Sequence, residues 1–180
     1  MLDCIVLGDS IALGLSQARP DCEVAAELGI TSERFVQTRL TTRLARTVII
    51  SLGVNDADAT HTADNLERLR ATITATAVYW LAAGSNPLTR EAVRAVAEWH
   101  GDRLIDVAPL AGSDHIHPDR AGYATLAAQT GGTIPGRVTP TSAPAGIQTP
   151  ADAFRAFPDM KIWNGPGNLN GVTVNGPIQP

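Results

Sequence analysis

The sequence predicts an α/β protein, a three-layer α/β/α sandwich in which helices cover both faces of a parallel sheet of about five strands. Short apolar runs alternate with segments of helical period along residues 1–130. The two strongest runs, residues 2–7 and 47–52, are almost continuously apolar, as is typical of strands covered on both faces. Strand and helix alternating over this length favour parallel strands joined by right-handed crossovers.

The other elements follow from weaker patterns between turn-forming residues. Further strands are predicted at 22–28, 78–82 and 104–107, and helices at about 10–18, 32–44, 62–76, 88–100 and 119–129. In the third helix, Leu66, Leu69 and Ile73 share one face, and such an apolar stripe predicts packing against the sheet.

Composition excludes several classes of protein. The 180 residues carry a formal net charge of −4, with 18% charged and 44% hydrophobic residues, a globular rather than a disordered balance. No basic block indicates a nucleic-acid surface, and no apolar run reaches the roughly 18 residues of a membrane span. No export signal is visible near Met1, which favours a cytoplasmic protein or one carried in a larger assembly such as a virion. Because Cys4 and Cys22 are too few for a disulfide framework, we expect buried free thiols.

The last fifty residues differ in character from the rest. Residues 131–180 hold 8 of the 12 prolines and 8 of the 16 glycines, which predicts a boundary near Thr130 and an irregular extension beyond it. Phe154 and Trp163 would be costly to leave in water, so the extension should pack on its own domain or on a partner. The β-prone residues 172–174 could pair with a sheet edge. Two uses stay open: a strap over the home domain, or an arm that anchors the chain in a cell-surface or phage-tail assembly, with catalysis secondary.

Three polar motifs follow predicted strands, at the edge of the sheet where ligands bind in such folds. The first is Gly8-Asp9-Ser10, after the first strand. Gly8 permits a sharp turn, and Ser10 then stands at the amino end of a helix, where backbone N–H groups can stabilise a developing anion. An ordinary helix cap is the alternative, because Asp and Ser are preferred cap residues.

The second motif is Gly53-Val54-Asn55-Asp56, after the strand at 47–52. The side-chain amide of Asn55 can project into the same crevice as Ser10, although these residue types are also typical of a plain turn. We expect Asp56, like Asp9, to brace its loop rather than to react.

The third motif is Asp114-His115-Ile116-His117-Pro118, after the last predicted strand. A carboxylate three residues before an imidazole can hold one ring nitrogen and leave the other to accept a proton from a serine. A polar loop with solvated histidines is one alternative. Metal binding by His115 and His117 is another, and it is the weaker one because zinc sites use three or four protein ligands.

Together the three motifs resemble the SGNH hydrolase family, also called GDSL-type esterases. Its nucleophile, Gly-x-Asn-Asp and Asp-x-x-His blocks correspond, in the family's order, to residues 8–10, 53–56 and 114–117. A remaining block is a single glycine after the second strand, for which Gly29 is the candidate. The resemblance covers about residues 2–129, and it implies a flavodoxin-like hydrolase domain at 1–130.

The resemblance implies a serine esterase that works through an acyl-enzyme. Ser10 would attack the ester carbonyl while His117 takes its proton, and Asp114 would fix the imidazole. The oxyanion would be held by the backbone N–H groups of Ser10 and Gly29 and by the side-chain amide of Asn55. No cofactor and no metal are implied, because this chemistry needs only ester and water.

The expected partner is a small ester or an acylated carbohydrate. The chain is short, with little spare length for a lid or an acyl tunnel, and we expect segments 57–63 and 83–88 to wall an open cleft. Such a cleft favours an acetyl group on a bulky alcohol. A carbohydrate acetylesterase and a general short-chain esterase stay open as alternatives.

Overall fold

Five strands and five α-helices alternate along residues 1–131 of the computed structural model, which also describes residues 161–162 and 172–173. The strands are β1 (Leu2–Gly8), β2 (Glu23–Ala26), β3 (Arg43–Ser51), β4 (Ile73–Ala82) and β5 (Arg103–Asp106). The helices are α1 (Ser10–Ala18), α2 (Ser32–Arg39), α3 (Ala59–Ala71), α4 (Pro87–His100) and α5 (Arg120–Gly131). Among the residues described, no helix combines the length and the hydropathy that crossing a bilayer requires.

All five strands are parallel and stand in the order β2-β1-β3-β4-β5. This order is flavodoxin-like, and it confirms the predicted three-layer class. Because β1 lies between β2 and β3, the loops that follow these three strands are neighbours at the carboxyl edge of the sheet. The first two polar motifs and the loop of Gly29 all follow these strands.

Each face of the sheet carries its own apolar layer. On one face, Phe35, Leu66 and Val96 bring α2, α3 and α4 onto the sheet. On the other face, Leu15 and Leu126 do the same for α1 and α5. All five side chains are fully buried. Since both faces are covered, the central strands are apolar at nearly every position.

The predicted ends of two elements are wrong. The stripe of α3 does not extend to Ile73, because the helix ends at Ala71 and is capped by Thr72, whose hydroxyl donates to the carbonyl oxygen of Leu69 at 2.8 Å. Ile73 is instead the first residue of β4, where it is buried. The helix predicted to reach residue 44 ends at Arg39, and β3 begins at Arg43.

Cys4 and Cys22 form a disulfide, so the expectation of free thiols is wrong. Cys4 lies on β1 and Cys22 directly precedes β2, and the pairing of these strands brings the two Cα atoms to 4.4 Å. A disulfide spans that separation. The number of cysteines in the sequence does not show that their strands are neighbours.

The extension beyond α5 contributes one described feature, an antiparallel pairing of Lys161–Ile162 with Val172–Thr173. Among the described residues, the β-prone segment therefore pairs within the extension and not with an edge of the five-stranded sheet. Residue 174, Phe154 and Trp163 lie outside the described residues. The packing of the extension and the boundary near Thr130 thus stay predictions.

Candidate active site

Ser10 is the first residue of α1, immediately beyond the turn that ends β1. Gly8 is required in this turn, because its φ is +135° and a Cβ there would lie 1.8 Å from the carbonyl oxygen of Ser51 on β3. Asp9 caps the helix, and its Oδ1 accepts from the N–H of Ile11 at 3.0 Å and from the hydroxyl of Ser51 at 2.8 Å. Ser10 is therefore held, half-buried, at the carboxyl edge of a central strand, with its N–H in the first helical turn.

Asp9 carries its carboxyl group into the core beside this turn. The residue is fully buried, and within the described part of the chain nothing hydrogen-bonds its Oδ2. Burial raises the pKa of Asp9 from 3.8 to about 6, although the bonds from Ser51 and Ile11 act in the opposite direction. Asp9 thus braces the turn through Oδ1, and its ionisation is opposed by the low dielectric around it.

The loop between β5 and α5 carries Asp114 and His117. Strand β5 is at the edge of the sheet, whereas α5 packs beside α1 on the face that covers β1, so the loop crosses back toward Ser10. Among the described residues other than glycine, only His115 has a left-handed backbone, with φ +60°. It allows a turn in which Oδ1 of Asp114 accepts from the N–H groups of Ile116 and His117, each at 2.9 Å.

The structure brings Ser10, His117 and Asp114 into one hydrogen-bonded line. The Ser10 hydroxyl lies 2.8 Å from Nε2 of His117, and Nδ1 of His117 lies 2.7 Å from Oδ2 of Asp114. The N–H of Ile116, together with the ring and the N–H of His117, holds the pKa of Asp114 well below its usual range. An ionised carboxylate only accepts, so Nδ1 is the donor to Asp114, and in the neutral imidazole Nε2 then accepts from Ser10. This arrangement can take a proton from the serine hydroxyl.

Gly29 and Asn55 lie in the loops after β2 and β3, which flank β1. The side-chain amide of Asn55 donates to the carbonyl oxygen of Ile30 at 3.1 Å, so the two loops meet. An amide nitrogen carries a second N–H that can serve another acceptor. Gly29 and Asn55 are exposed, and Gly29 has φ +70°. The strand order thus places the turn of Ser10 between the two loops, while the roles of Gly29 and Asn55 as oxyanion donors stay a proposal.

Sequence reasoning missed the contacts of Asp56. Its carboxylate accepts from the N–H of Ser32 at 2.8 Å and also from the Ser32 hydroxyl, and the Thr62 hydroxyl lies 2.7 Å from Oδ2. Asn65 donates to the Ser32 hydroxyl at 3.2 Å, and Asn86 donates to the backbone carbonyl of Asp56 at 2.8 Å. Asp56 therefore joins the loops after β2, β3 and β4. In the sequence, Ser32 is indistinguishable from an ordinary helix start.

The predicted cleft walls are only partly loops. Helix α3 begins at Ala59 and α4 at Pro87, so each predicted segment is a short loop followed by the start of a helix. Asn86, the cap of α4, donates to the carbonyl oxygen of Asp56, the residue directly before the first of these segments. The side chains of His117 and Asp114 are 40% and 51% exposed, so this half of the site opens directly to solvent.

The described residues offer little support for the metal-binding alternative. Within the described residues, the group of His, Cys and acidic side chains with closely spaced ligand atoms is Cys4, Asp21 and Cys22, and both of its sulfurs belong to the disulfide. His115 and His117 are members of no such group among those residues.

Comparisons with solved structures agree with this fold. The chain is similar to a GDSL-like lipase from Bacteroides thetaiotaomicron, with a TM-score of 0.51 and 17% identity over 71% of this chain and 84% of that one. It is also similar to the carbohydrate acetylesterase Est24 from Sinorhizobium meliloti (0.51, 12%, 73% and 99%) and to the native aryl esterase of M. smegmatis (0.50, 17%, 72% and 98%). No protein-family model and no curated protein sequence matches the chain. The chain thus has the fold that GDSL-like lipases and acetylesterases share.

Proposed function

We propose that this protein is a serine esterase that hydrolyses short-chain esters, acetyl esters above all. The observation that carries the proposal is the hydrogen-bonded line from Ser10 through His117 to Asp114, at 2.8 and 2.7 Å. A helix cap requires no imidazole, and a loop of solvated histidines requires no serine. Neither alternative accounts for contact between two residues that lie 107 positions apart.

Acylation would use Nε2 of His117 twice, first as a base and then as an acid. As the Ser10 oxygen bonds to the ester carbonyl carbon, its proton passes to Nε2 and the carbonyl oxygen becomes an oxyanion. When the tetrahedral intermediate collapses, the C–O bond to the alcohol breaks, and Nε2 returns the proton to the leaving alkoxide. Asp114 stabilises the imidazolium that exists between these two transfers.

Deacylation repeats the sequence with water in place of the serine hydroxyl. Nε2 of His117 takes a proton from water as its oxygen attacks the acyl carbon, and it then returns that proton to the Ser10 oxygen. The free acid leaves, and the enzyme is restored without any other reactant.

The oxyanion would lie above the end of β1, between the loops that flank this strand. We assign its donors to the N–H of Ser10, the N–H of Gly29 and the amide of Asn55. Each donor in such a site typically contributes about 2.7–4 kcal/mol of transition-state stabilisation. The order β2-β1-β3 supports the assignment, because it places the two flanking loops on either side of the nucleophile.

The exposure of the His117 side of the site supports a small acyl group on a bulky alcohol. A sugar hydroxyl is one such alcohol, since a large polar ring can extend into the solvent beside the 40% exposed imidazole. Est24, which shares the fold, is a carbohydrate acetylesterase by name. Faster hydrolysis of octanoyl than of acetyl esters would overturn this part of the proposal.

The central test is the hydrolysis of p-nitrophenyl acetate by the wild type and by Ser10→Ala. We expect the variant to lose at least about 10³-fold in kcat/KM, because the nucleophile is gone. Ser16→Ala is the matched control: this serine lies on the same helix, its hydroxyl donates to the carbonyl of Leu13, and kcat/KM should stay within about twofold. Equal rates for the wild type and Ser10→Ala would overturn the proposal and favour a binding or structural role in a larger assembly.

A further inference from the structure

We infer that Asp56 is a positioning residue that fixes the distance between the two flanking sides of the oxyanion hole. The inference rests on the proposed function, and it goes beyond the bracing role that the sequence suggests. It assigns to Asp56 an effect on turnover that acts through Gly29 and Asn55, without contact between Asp56 and the substrate.

The carboxylate of Asp56 holds the start of α2 at two points. Oδ1 accepts from the Ser32 N–H at 2.8 Å, and Oδ2 accepts from the Ser32 hydroxyl. A two-point contact fixes orientation as well as distance, as a single hydrogen bond does not. Ser32 and Thr62, which also lies against Oδ2, are each 1% exposed, so water competes little for these bonds.

The two consecutive residues Asn55 and Asp56 thereby hold one short segment of the neighbouring loop. Asn55 bonds to Ile30 and Asp56 to Ser32, so the segment that begins at Gly29 is tied to the loop after β3 at two places. A backbone hydrogen bond from the N–H of Ile30 closes the turn that carries Gly29. The bonds from Asn55 and to Asp56 tie this turn to the loop after β3, and they therefore set the distance between the Gly29 N–H and that loop.

A general structural role and a positioning role predict different kinetics. Loss of general structure lowers the fraction of folded enzyme and leaves the kcat of the folded molecules unchanged. Loss of alignment lowers kcat with little change in KM, because the oxyanion exists only in the transition state. A displacement of about 1 Å in such a site can cost about 10²-fold in rate.

The test begins with Asp56→Asn, which keeps the shape but places an N–H₂ group against the Ser32 side. We expect kcat on p-nitrophenyl acetate to fall about 10- to 100-fold, with KM within about threefold of the wild type. Glu33→Gln is the matched control: Glu33 follows Ser32 on α2, is exposed, and accepts from the side chain of Gln37 at 3.0 Å, so kcat should stay within about twofold. An unchanged kcat for Asp56→Asn would overturn the inference.

Coupling to Asn55 provides a second readout. If Asp56 acts through the oxyanion hole, the double variant Asn55→Ala/Asp56→Asn should lose clearly less in kcat than the product of the two single losses. Fully multiplicative losses would contradict the assignment. Should Asp56→Asn fail to fold, Ser32→Ala removes the hydroxyl contacts with Asp56 and Asn65 and keeps the Ser32 N–H contact with Asp56. We then expect a several-fold loss in kcat, and an unchanged kcat would overturn the inference.

Hydrogen exchange separates this inference from the proposed function. In folded Asp56→Asn the amide of Ser32 should exchange at least about tenfold faster than in the wild type, while amides in the central strands stay protected. Unchanged protection of Ser32 would overturn the inference even if the protein is an esterase. If the wild type hydrolyses no ester, the proposed function fails, and the exchange result alone decides whether Asp56 holds the loop.

Discussion

The Ser10 hydroxyl lies 2.8 Å from Nε2 of His117, yet the two residues are held in place by different kinds of structure. Ser10 stands on the junction of a central strand and a helix, next to the fully buried Asp9. His117 stands on a half-exposed loop, and Asp114 orders that loop by accepting from two N–H groups and from the imidazole. The comparison indicates that changes to Asp9, which holds the Ser10 turn, should alter stability, whereas changes to Asp114, which holds His117, should alter turnover.

The two aspartates show the same contrast in their ionisation. Burial raises the pKa of Asp9 to about 6, while three local hydrogen bonds hold the pKa of exposed Asp114 well below its usual range. Desolvation disfavours the charged form and donated hydrogen bonds favour it. The pKa of an aspartate is thus raised at one position and lowered at another within one site, and each shift can be tested.

The largest expected effect is that of Asp114→Asn on turnover. The asparagine N–H₂ would face Nδ1 of His117, so the imidazole would carry its proton on Nε2 and could not accept one from Ser10. We expect kcat to fall roughly 10³- to 10⁴-fold, while the thermal unfolding midpoint moves by only a few degrees. Steady-state kinetics and a thermal melt on the same preparation measure both quantities.

Asp119→Asn is the control for this variant. Asp119 lies on the same loop and accepts from the N–H of Gly122 at 2.7 Å, a contact that Asn can also make. Its kcat should stay within about twofold. If Asp114→Asn lowers the thermal unfolding midpoint by much more than a few degrees, the proposed division between residues that set stability and residues that set turnover is wrong.

Asp9 should make stability fall as the pH rises from about 4 to about 6. In this window the folded state keeps the Asp9 proton and the unfolded state has lost it, so the unfolded state binds fewer protons and the free energy of unfolding decreases with pH. The full contribution is at most about 3 kcal/mol, present near pH 4 and absent above pH 6. Asp114 acts with the opposite sign, but only below the ordinary Asp range.

Denaturant unfolding of the wild type and Asp9→Asn at pH 4, 5, 6 and 7 measures the contribution of Asp9 to the free energy of unfolding. The free energy of unfolding of the variant relative to the wild type should rise with pH up to about 6 and then level off. Parallel pH profiles for the two proteins would show that Asp9 does not titrate differently in the folded state.

The smallest expected effect concerns the left-handed residue of the histidine loop. His115→Gly should keep kcat within about twofold and change the free energy of unfolding by less than about 1 kcal/mol, because glycine adopts φ +60° without strain. His115→Val should cost about 1–2 kcal/mol, because a β-branched residue resists this conformation. Kinetics and denaturant curves measure both; a large loss of kcat in the glycine variant would mean that the His115 ring itself acts in the site.

The sequence was sufficient for those features that local chemistry determines. The apolar runs at 2–7 and 47–52 predicted the central strands, and the polar motifs after the strands predicted which loops meet. The spacing of Asp114 and His117 predicted their contact, since a turn of four residues closes on itself.

What the sequence did not predict depends on which strands become neighbours. The bond between Cys4 and Cys22 exists because β1 pairs with β2. The contact of Asp56 with Ser32 exists because the loops after β2 and β3 lie on either side of β1. Ile73 continued a helical period, and only the requirement for a long strand beside β3 makes it the start of β4.

The disulfide has a consequence for how the environment acts on this molecule. It encloses the segment from Cys4 to Cys22, which contains Ser10, in a covalent ring that persists when the chain unfolds, and a ring of this size is worth roughly 3 kcal/mol in models of the unfolded chain. The ring closes at the amino ends of the strands, about 13 Å of extended chain from the turn at Gly8. Reducing surroundings should therefore lower the free energy of unfolding and leave the geometry around Ser10 unchanged.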